Sequence, residues 1–473
     1  MSPTGRVAME NNIRRLAYGL IGLFLILIIY LTYLQVFKGN WLVGHQQNKR
    51  LLAYEAEITR GTIYDRRGRV LAETKPQGGR LTRRYPMGEL FAHLTGYTSV
   101  KYGKAGLEEA YDRLLLGLND EQKLDNFVNR LQGKPQVGND LILTVDSELQ
   151  GLGRALLGNR RGAVVALDPR NGEILAMVSN PGFNPNLIEE TWPEISRDKE
   201  KGVLINRATQ GIYPPGSIMK VVTGAGALTK NPLLGQSTYD CPGYLEIGDY
   251  KLKDLAVHGK VDFNRAMAVS CNTTFAQLGL KLGRQDFYQN ALDFGFLKDI
   301  PFDLPVKASS LPDPDELTAS GLAQSAIGQG EVVVTPLHMA LVAAGIANDG
   351  VMVRPRLVAQ VRSGDGSILS SSGTRTWRTP VSPQVAGAVK EAMVQVVAEG
   401  TGQGAQVPGV AVAGKTGSAQ NPHGATHAWF IGFAPAERPR VAVAVIVENS
   451  GYGGREAAPI ARQIMGKALE ITR

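Results

Sequence analysis

Tyr213-Pro214-Pro215-Gly216-Ser217-Ile218-Met219-Lys220 is the stretch on which the reading of this chain turns. Pro214-Pro215-Gly216 cannot continue a helix. Ser217 to Leu228 holds no proline and places apolar residues at Ile218, Val221, Val222 and Leu228, which predicts a helix starting at or near the serine. Residues three apart share a helix face, so the Ser217 hydroxyl and the Lys220 amine come within reach of each other through local structure alone. A serine hydroxyl is a weak nucleophile until a base takes its proton. A lysine serves as that base only where burial or a neighbouring cation lowers its pKa. The amino terminus of a helix also directs N–H groups at a developing oxyanion. By itself Ser-x-x-Lys is a common chance pattern, an N-cap serine and a solvated lysine, so its chemistry depends on what the rest of the chain brings to it.

Composition narrows the classes of function. The chain has 473 residues, 43% of them hydrophobic and 20% charged, enough for two or three domains with full cores. Its formal net charge of +8 sits near the start, because residues 38–90 carry eleven Lys/Arg against five Asp/Glu and residues 91–473 are balanced. A balanced main body argues against a nucleic-acid partner. Leu16 to Phe37 contains no charged residue, and no small-x-small cleavage site follows, which predicts an uncleaved transmembrane anchor over 16–37 behind a short tail, 1–15. Basic residues flank the span on both sides, so charge alone does not orient it. Cys241 and Cys271 lack zinc-ligand spacing, and Pro422 and Gly424 break any helix that would pair His423 with His427. No metal is expected.

Between residues 53 and 73 the pattern is extended around an Asp65-Arg66-Arg67-Gly68 turn, and the arginine-rich stretch Lys75 to Arg84 reads as a solvated basic face or a lipid-headgroup contact. A helix is expected from Gly106 to Gly117. Gly133, Pro135 and Gly138 mark a connection, which divides a segment 38–140 from a larger domain 141–473. There Leu141 to Val145 is a strand, and Asp146 caps a helix running to Leu157. Gly162 to Asp168 and Glu173 to Ser179 form a hairpin around Asn171-Gly172. Much later, Val410 to Ala413, His427 to Phe433 and Val441 to Val447 are strand-like, and Ala457 to Ile471 is an amphipathic helix that covers them. A mostly helical block, about 204–345, lies between. Strands from both ends of a domain with helices inserted make an α+β fold. Gly400-Thr401-Gly402-Gln403-Gly404 lacks the Gly-Lys-Ser/Thr of a phosphate loop and reads as a flexible turn.

Two further motifs answer Ser217. Ser270-Cys271-Asn272 sits at a helix junction, where a short loop aims Ser270 and Asn272 into a cleft. Lys415-Thr416-Gly417-Ser418 ends a late strand, with Gly417 permitting close approach of a backbone or ligand. A Ser-x-x-Lys, a Ser-x-Asn about fifty residues on and a Lys-Thr-Gly on a late strand form the ordered triple of penicillin-binding proteins and serine β-lactamases. The chain resembles the class B penicillin-binding proteins, the monofunctional peptidoglycan D,D-transpeptidases, over nearly its full length. Arg60-Gly61-Thr62-Ile63-Tyr64-Asp65-Arg66-Arg67-Gly68, Gly106-Leu107-Glu108, Ile327-Gly328-Gln329-Gly330 and His427-Ala428-Trp429-Phe430-Ile431-Gly432 carry the same resemblance.

That resemblance implies an antiparallel sheet flanked by helices with an inserted helical block. A small, mainly extended pedestal and a single-pass anchor in the cell membrane precede it, with residues 38–473 outside. It implies that Ser217 forms an acyl-enzyme with the D-Ala-D-Ala end of a stem peptide and releases D-alanine. Lys220, its pKa lowered by Lys415, is then the base; Ser270 relays the proton and Asn272 holds the substrate amide. Lys415 and Thr416 bind the terminal carboxylate, Gly417 gives close approach, and the Ser217 and Ser418 N–H groups form the oxyanion hole. No cofactor is implied. Expected partners are stem peptides, β-lactams, the membrane and a SEDS-type glycan polymerase. A D,D-carboxypeptidase or β-lactamase of the same fold, and a non-catalytic scaffold or penicillin sensor, are the alternatives.

Overall fold

The computed structural model describes residues 3–38, 55, 57–118, 132, 136–421 and 424–472. Contacts divide the chain into two units, Met1–Ile58 and Thr59–Arg473. In the first, the apolar run forms one helix, α1 (Pro3–Phe37), with no interruption at the start of the expected span. Its segment Asn11–Phe37 is long and apolar enough to cross a membrane, and Leu20, Phe24 and Ile28 are exposed along it.

In the second unit, β1 (Ile63–Tyr64) precedes the hairpin of β2 (Val70–Gln77) and β3 (Arg80–Arg84), and Glu108 lies on the short helix α2 (Leu107–Ala110). The strand β4 (Asp140–Leu143) leads into α3 (Ser147–Leu157), where the Glu148 and Leu149 amides donate to the Asp146 carboxylate, the cap read from the sequence. β5 (Gly162–Leu167) and β6 (Ile174–Asn180) form the hairpin around Asn171-Gly172. A single 3-10 turn, Gly216–Ile218, opens α4 (Met219–Lys230). The block that follows adds two small sheets to its helices: β7 (Tyr239–Cys241), β8 (Tyr244–Ile247), β9 (Tyr250–Lys253) and β10 (Gly259–Val261) precede α5 (Phe263–Ala268), α6 (Asn272–Leu282) and α7 (Pro336–Ala347). The remaining elements used below are β11 (Val358–Arg362), β12 (Ile368–Ser371), α8 (Pro383–Ala398), β13 (Ala413–Ala419), β14 (His427–Ala434), β15 (Val441–Val447) and α9 (Ala458–Ile471).

The central sheet runs β13-β14-β15-β5-β6 and is antiparallel throughout, so strands from both ends of the unit meet in it as the α+β reading requires. Period-two alternation explains why β15 is apolar at every position. Ala442, Ala444 and Ile446 join the cluster that contains α7, whereas Val441, Val443, Val445 and Val447 join the one that contains α3 and α9. Both faces are covered. Full burial of each valine or isoleucine contributes about 1.5–3 kcal/mol.

A second sheet, β12-β11-β4-β1-β2-β3, has β4 at its centre, parallel to β1 and antiparallel to β11. Strands from residues 63–84, 140–143 and 358–371 therefore share one hydrogen-bonded layer.

Two expectations are corrected. The Lys75 to Arg84 stretch is a hairpin whose Arg83 side chain is buried rather than solvated. Its Nε lies 2.7 Å from Glu108 Oε1, its Nη1 donates to Gly61 O at 2.8 Å, and Arg60 clamps the other oxygen of the same carboxylate. Two guanidinium groups hold one buried charge, which desolvation otherwise makes costly. The late strand read as Val410 to Ala413 with Lys-Thr-Gly at its end starts and finishes later, so Lys-Thr-Gly lies within β13. Val410 makes only an isolated bridge to Val407, whereas Ala413 to Ala419 pairs residue by residue with β14. The apolar run of β14 sets that pairing, overriding the weak strand propensity of Gly414 and Gly417.

Glu108→Ala leaves Arg60 and Arg83 buried without their carboxylate. It is expected to cost about 3–5 kcal/mol, read as a lowered denaturation midpoint of the detergent-solubilised chain. Glu108→Gln, which keeps the acceptor oxygen, should lose less.

Candidate active site

Ser217 is half-buried at the middle of the 3-10 turn, and Lys220 follows on the first turn of α4. The turn is fixed on both sides. Gly216 N–H donates to Gly328 O at 2.8 Å, and a Cβ on Gly328 would sit 2.0 Å from Gly216 O, so only glycine fits against the Ser217 turn. Just upstream, Tyr213 and Val334 exchange main-chain hydrogen bonds, and Trp429 Nε1 donates to Pro214 O at 3.1 Å. The Tyr213 hydroxyl donates to Glu448 Oε1 at 2.8 Å. Burial pushes the Glu448 carboxyl up, but Arg207, Tyr213 and Arg161 more than offset it and hold its pKa below the ordinary glutamate value.

Lys220 is fully buried. Its Nζ donates to Ser270 O at 2.6 Å, Asn272 Oδ1 at 2.7 Å and Ser270 Oγ at 3.2 Å. Lys415, equally buried, donates from Nζ to Ser270 Oγ at 2.8 Å and to Thr416 O at 3.1 Å. One hydroxyl thus joins the two amines. Burial lowers the Lys220 pKa to about 8, against a partial upward pull from the Asp254 and Cys271 charges. Burial first, and repulsion from Lys220 second, pull Lys415 well below the ordinary lysine value. The resemblance implies Lys415 as the cause of the Lys220 shift; desolvation lowers it instead, because neither amine reaches water, and the repulsion acts on Lys415. Among the described residues the Ser217 hydroxyl has no hydrogen-bond partner, and Lys220 is turned to Ser270 and Asn272 instead. Such contacts tighten when a reacting group enters.

The three motifs do converge. Ser270 occupies the left-handed region, φ 60, in the short link between α5 and α6, a conformation that non-glycine residues rarely take and that turns its hydroxyl onto both lysines. Asn272 donates from Nδ2 to Lys253 O at 3.2 Å, and its own N–H donates to Asp254 Oδ2 at 2.7 Å. The cap of α6 is Cys271, not Ser270 or Asn272. On β13, a Cβ at Gly417 would lie 2.9 Å from Pro215 O, so this glycine brings the strand against the Ser217 turn. Ser217, Ser270, Asn272, Thr416, Gly417 and Ser418 line one cavity of about 880 Å³.

Sequence reasoning missed two features. Thr401 lines the same cavity, and its Oγ1 lies 2.7 Å from Thr416 Oγ1; the Gly-Thr-Gly pattern was read as a flexible turn, and its only hint was the isolated threonine. Behind Asn272, the ligand atoms of Cys241, Asp254, His258 and Cys271 all lie within 4.8 Å of one another. Cys241 Sγ is 3.5 Å from Asp254 Oδ2 and 3.4 Å from His258 Nδ1. Two thiols, an imidazole and a carboxylate are a donor set suited to tetrahedral zinc. No metal was expected from cysteine spacing, but these ligands come from three separate segments, with Asp254 and His258 four residues apart on one of them, and only the fold assembles them. His423 lies outside the described residues; His427 Nδ1 accepts from Asn449 N at 3.1 Å.

Comparison with known proteins identifies the family. Residues 162–466 match the penicillin binding protein transpeptidase domain, and residues 60–141 the penicillin binding protein A dimerisation domain. Among curated relatives, peptidoglycan D,D-transpeptidase PbpA of Mycobacterium tuberculosis is 35% identical, covering 98% of this chain and 99% of its own. Peptidoglycan D,D-transpeptidase MrdA of Acinetobacter baumannii is 34% identical over 81% of this chain and 65% of its own. The penicillin G acyl-enzyme complex of penicillin-binding protein A from M. tuberculosis superposes with a TM-score of 0.81, at 34% identity over 87% of this chain and 100% of that one. A D,D-transpeptidase domain from Eggerthella lenta gives a TM-score of 0.81, at 34% identity over 88% of this chain and 99% of that one.

With its folded pKa near 8, Lys220 is mostly a neutral base above that pH and mostly an ammonium below it. Acylation of Ser217 by a penicillin should rise with pH up to about 8 and level off beyond, as read by stopped-flow labelling. Lys220→Arg, which cannot deprotonate, should slow labelling by about 10²–10⁴-fold at every pH.

Proposed function

The chain belongs to the penicillin-binding protein family of peptidoglycan D,D-transpeptidases, and from the groups in its cleft we propose how it carries that reaction. The observation that supports the assignment of roles most directly is the Ser270 hydroxyl held between Lys415 and Lys220 beside Ser217. Neutral Lys220 takes the Ser217 proton as Oγ attacks the carbonyl carbon of the penultimate D-alanine of a donor stem peptide. The oxyanion is met by the N–H groups of Ser217 and Ser418, each worth about 3 kcal/mol in such a site. Ser270 passes the proton to the amine of the terminal D-alanine as the C–N bond breaks. An ester on Ser217 remains and D-alanine leaves.

Lys415 and Thr416 receive the terminal carboxylate. Its arrival favours the ammonium form of Lys415, since an opposite charge raises a lysine pKa, and the resulting cation helps to keep Lys220 neutral. Asn272 Nδ2 has a second proton with which to hold the substrate amide, and Gly417 leaves room for the peptide beside β13. In the second half, an amine of another stem peptide attacks the ester carbon; the N–C bond forms, the Oγ–C bond breaks, and the amine's proton returns through Lys220 to Ser217. β-Lactams enter by the first half alone and leave Ser217 acylated.

We further infer that residues 16–37 anchor the chain in the cell membrane, with 1–15 as a cytoplasmic tail and 38–473 on the wall side, where the substrate lies. Residues 38–140 would then act as a pedestal for the catalytic residues 141–473. A SEDS-type glycan polymerase is the partner expected to feed it nascent strands.

Fluorescent penicillin should label the wild-type chain in membranes and fail to label Ser217→Ala; label persisting on the variant would sink the assignment of the nucleophile. With lipid-linked glycan strands, the wild type should yield cross-linked dimers, whereas trimmed monomers alone would mark a carboxypeptidase.

A further inference from the structure

Strand β9 is an edge strand whose outer side faces the catalytic residues. In the β8–β9 hairpin, Ile247 pairs with Tyr250 and Leu245 with Leu252, and Asp254 N–H donates to Gly243 O at 2.9 Å. These are the hydrogen-bonded positions of the ladder. Lys251 and Lys253, opposite Glu246 and Tyr244, occupy the intervening ones, so their main-chain N–H and C=O groups point away from β8. Among the described residues no other strand pairs with β9. The Lys253 carbonyl meets Asn272 Nδ2 at 3.2 Å, which fixes the direction of that side. Lys251, two residues back, turns its N–H and C=O the same way, and both residues line the cavity that contains Ser217 and Ser270.

The cavity has another such edge. Among the described residues β13 pairs only with β14, so its second side is open beside Thr416 and Ser418. Acyl transfer brings two peptides to one serine, and an extended peptide binds an open strand edge through its main chain. No acidic side chain lines the cavity, and neither Lys251 nor Lys253 has an ion-pair partner among the described residues. The Lys251 ammonium instead lies 3.6 Å from the centre of the Tyr244 ring. Tyr250 and Leu255, 40% and 79% exposed, offer apolar contact on the same rim.

We propose that the outer edge of β9 binds the acyl acceptor, an extended stem peptide carrying carboxylates, by strand addition to Lys251 N–H, Lys251 C=O and Lys253 N–H. This rests on the transpeptidase reading above and assigns its second substrate a place. The acceptor's amine is delivered to the Ser217 ester, where the N–C bond forms as the Oγ–C bond breaks and the proton goes to Lys220.

Lys251→Pro removes one outward N–H at a position where an edge strand tolerates proline; Lys251→Ala removes only the side chain. Each full-length protein is given a D-Ala-D-Ala donor peptide and one of two acceptors, the tripeptide L-Ala-γ-D-Glu-diaminopimelate or free D-alanine, too short to span the edge. Lys251→Pro should raise the half-saturating tripeptide concentration about tenfold, the order expected for one lost main-chain hydrogen bond. D-Alanine transfer and penicillin acylation should stay within about twofold, and Lys251→Ala, which keeps the main-chain N–H and loses one ammonium, should raise the half-saturating tripeptide concentration clearly less than Lys251→Pro does. Equal loss with both acceptors, or an alanine variant as impaired as the proline one, overturns the proposal while the Ser217 assignment stands on its penicillin label. If Lys251→Pro loses the label, the wild type decides with a tripeptide N-methylated on its main chain: half-saturation about tenfold higher supports the edge, and an unchanged value overturns it.

Discussion

Two lysine amines buried around one serine hydroxyl are the constraint on which the rest of this structure depends. An ammonium taken out of water is costly, and here two are placed within hydrogen-bond distance of Ser270 Oγ. Desolvation lowers both pKa values. Such an arrangement relaxes unless its surroundings are stiff, because either side chain is long enough to reach solvent if the packing loosens. The reactive state of Lys220 is thus a property of the packed core around α4 and α6 as much as of the cleft.

The fold supplies that stiffness from three directions. The central sheet, buried on both faces, carries Lys415 in the middle of β13 rather than on a loop. The left-handed Ser270 sits between two helices, so its displacement requires one of them to move. Glu448, just past the end of β15, ties Arg207 to Tyr213, four residues before Ser217. Three motifs far apart in sequence are in this way set by regular elements, a stronger means of positioning than flexible loops.

What the sequence revealed, and what it hid, follows from the range of the interactions. The helix behind Ser217, the Asp146 cap and the Asn171-Gly172 hairpin depend on neighbours within a few residues, and they were readable. The three motifs were readable as a set because their order is distinctive, although none carries its chemistry alone. By contrast, the true extent of β13 is dictated by its pairing with β14, against the propensity of its own glycines. Burial of Arg83 depends on a carboxylate 25 residues away, and the thiol, imidazole and carboxylate cluster draws on three segments. Desolvation, the main cause of the Lys220 shift, belongs to the finished core and has no local signature.

The shared layer built around β4 has a consequence for modularity. Residues 140–143 are flanked by β1 on one side and β11 on the other, so the border proposed near residue 140 between the pedestal and the catalytic part falls at a strand paired on both sides. Excising the catalytic part at that border would uncover a strand whose main-chain groups are paired in the intact chain, and an uncovered strand invites pairing with other molecules. Among the described residues the two parts share one hydrogen-bonded layer, and they are better regarded as one body than as interchangeable cassettes.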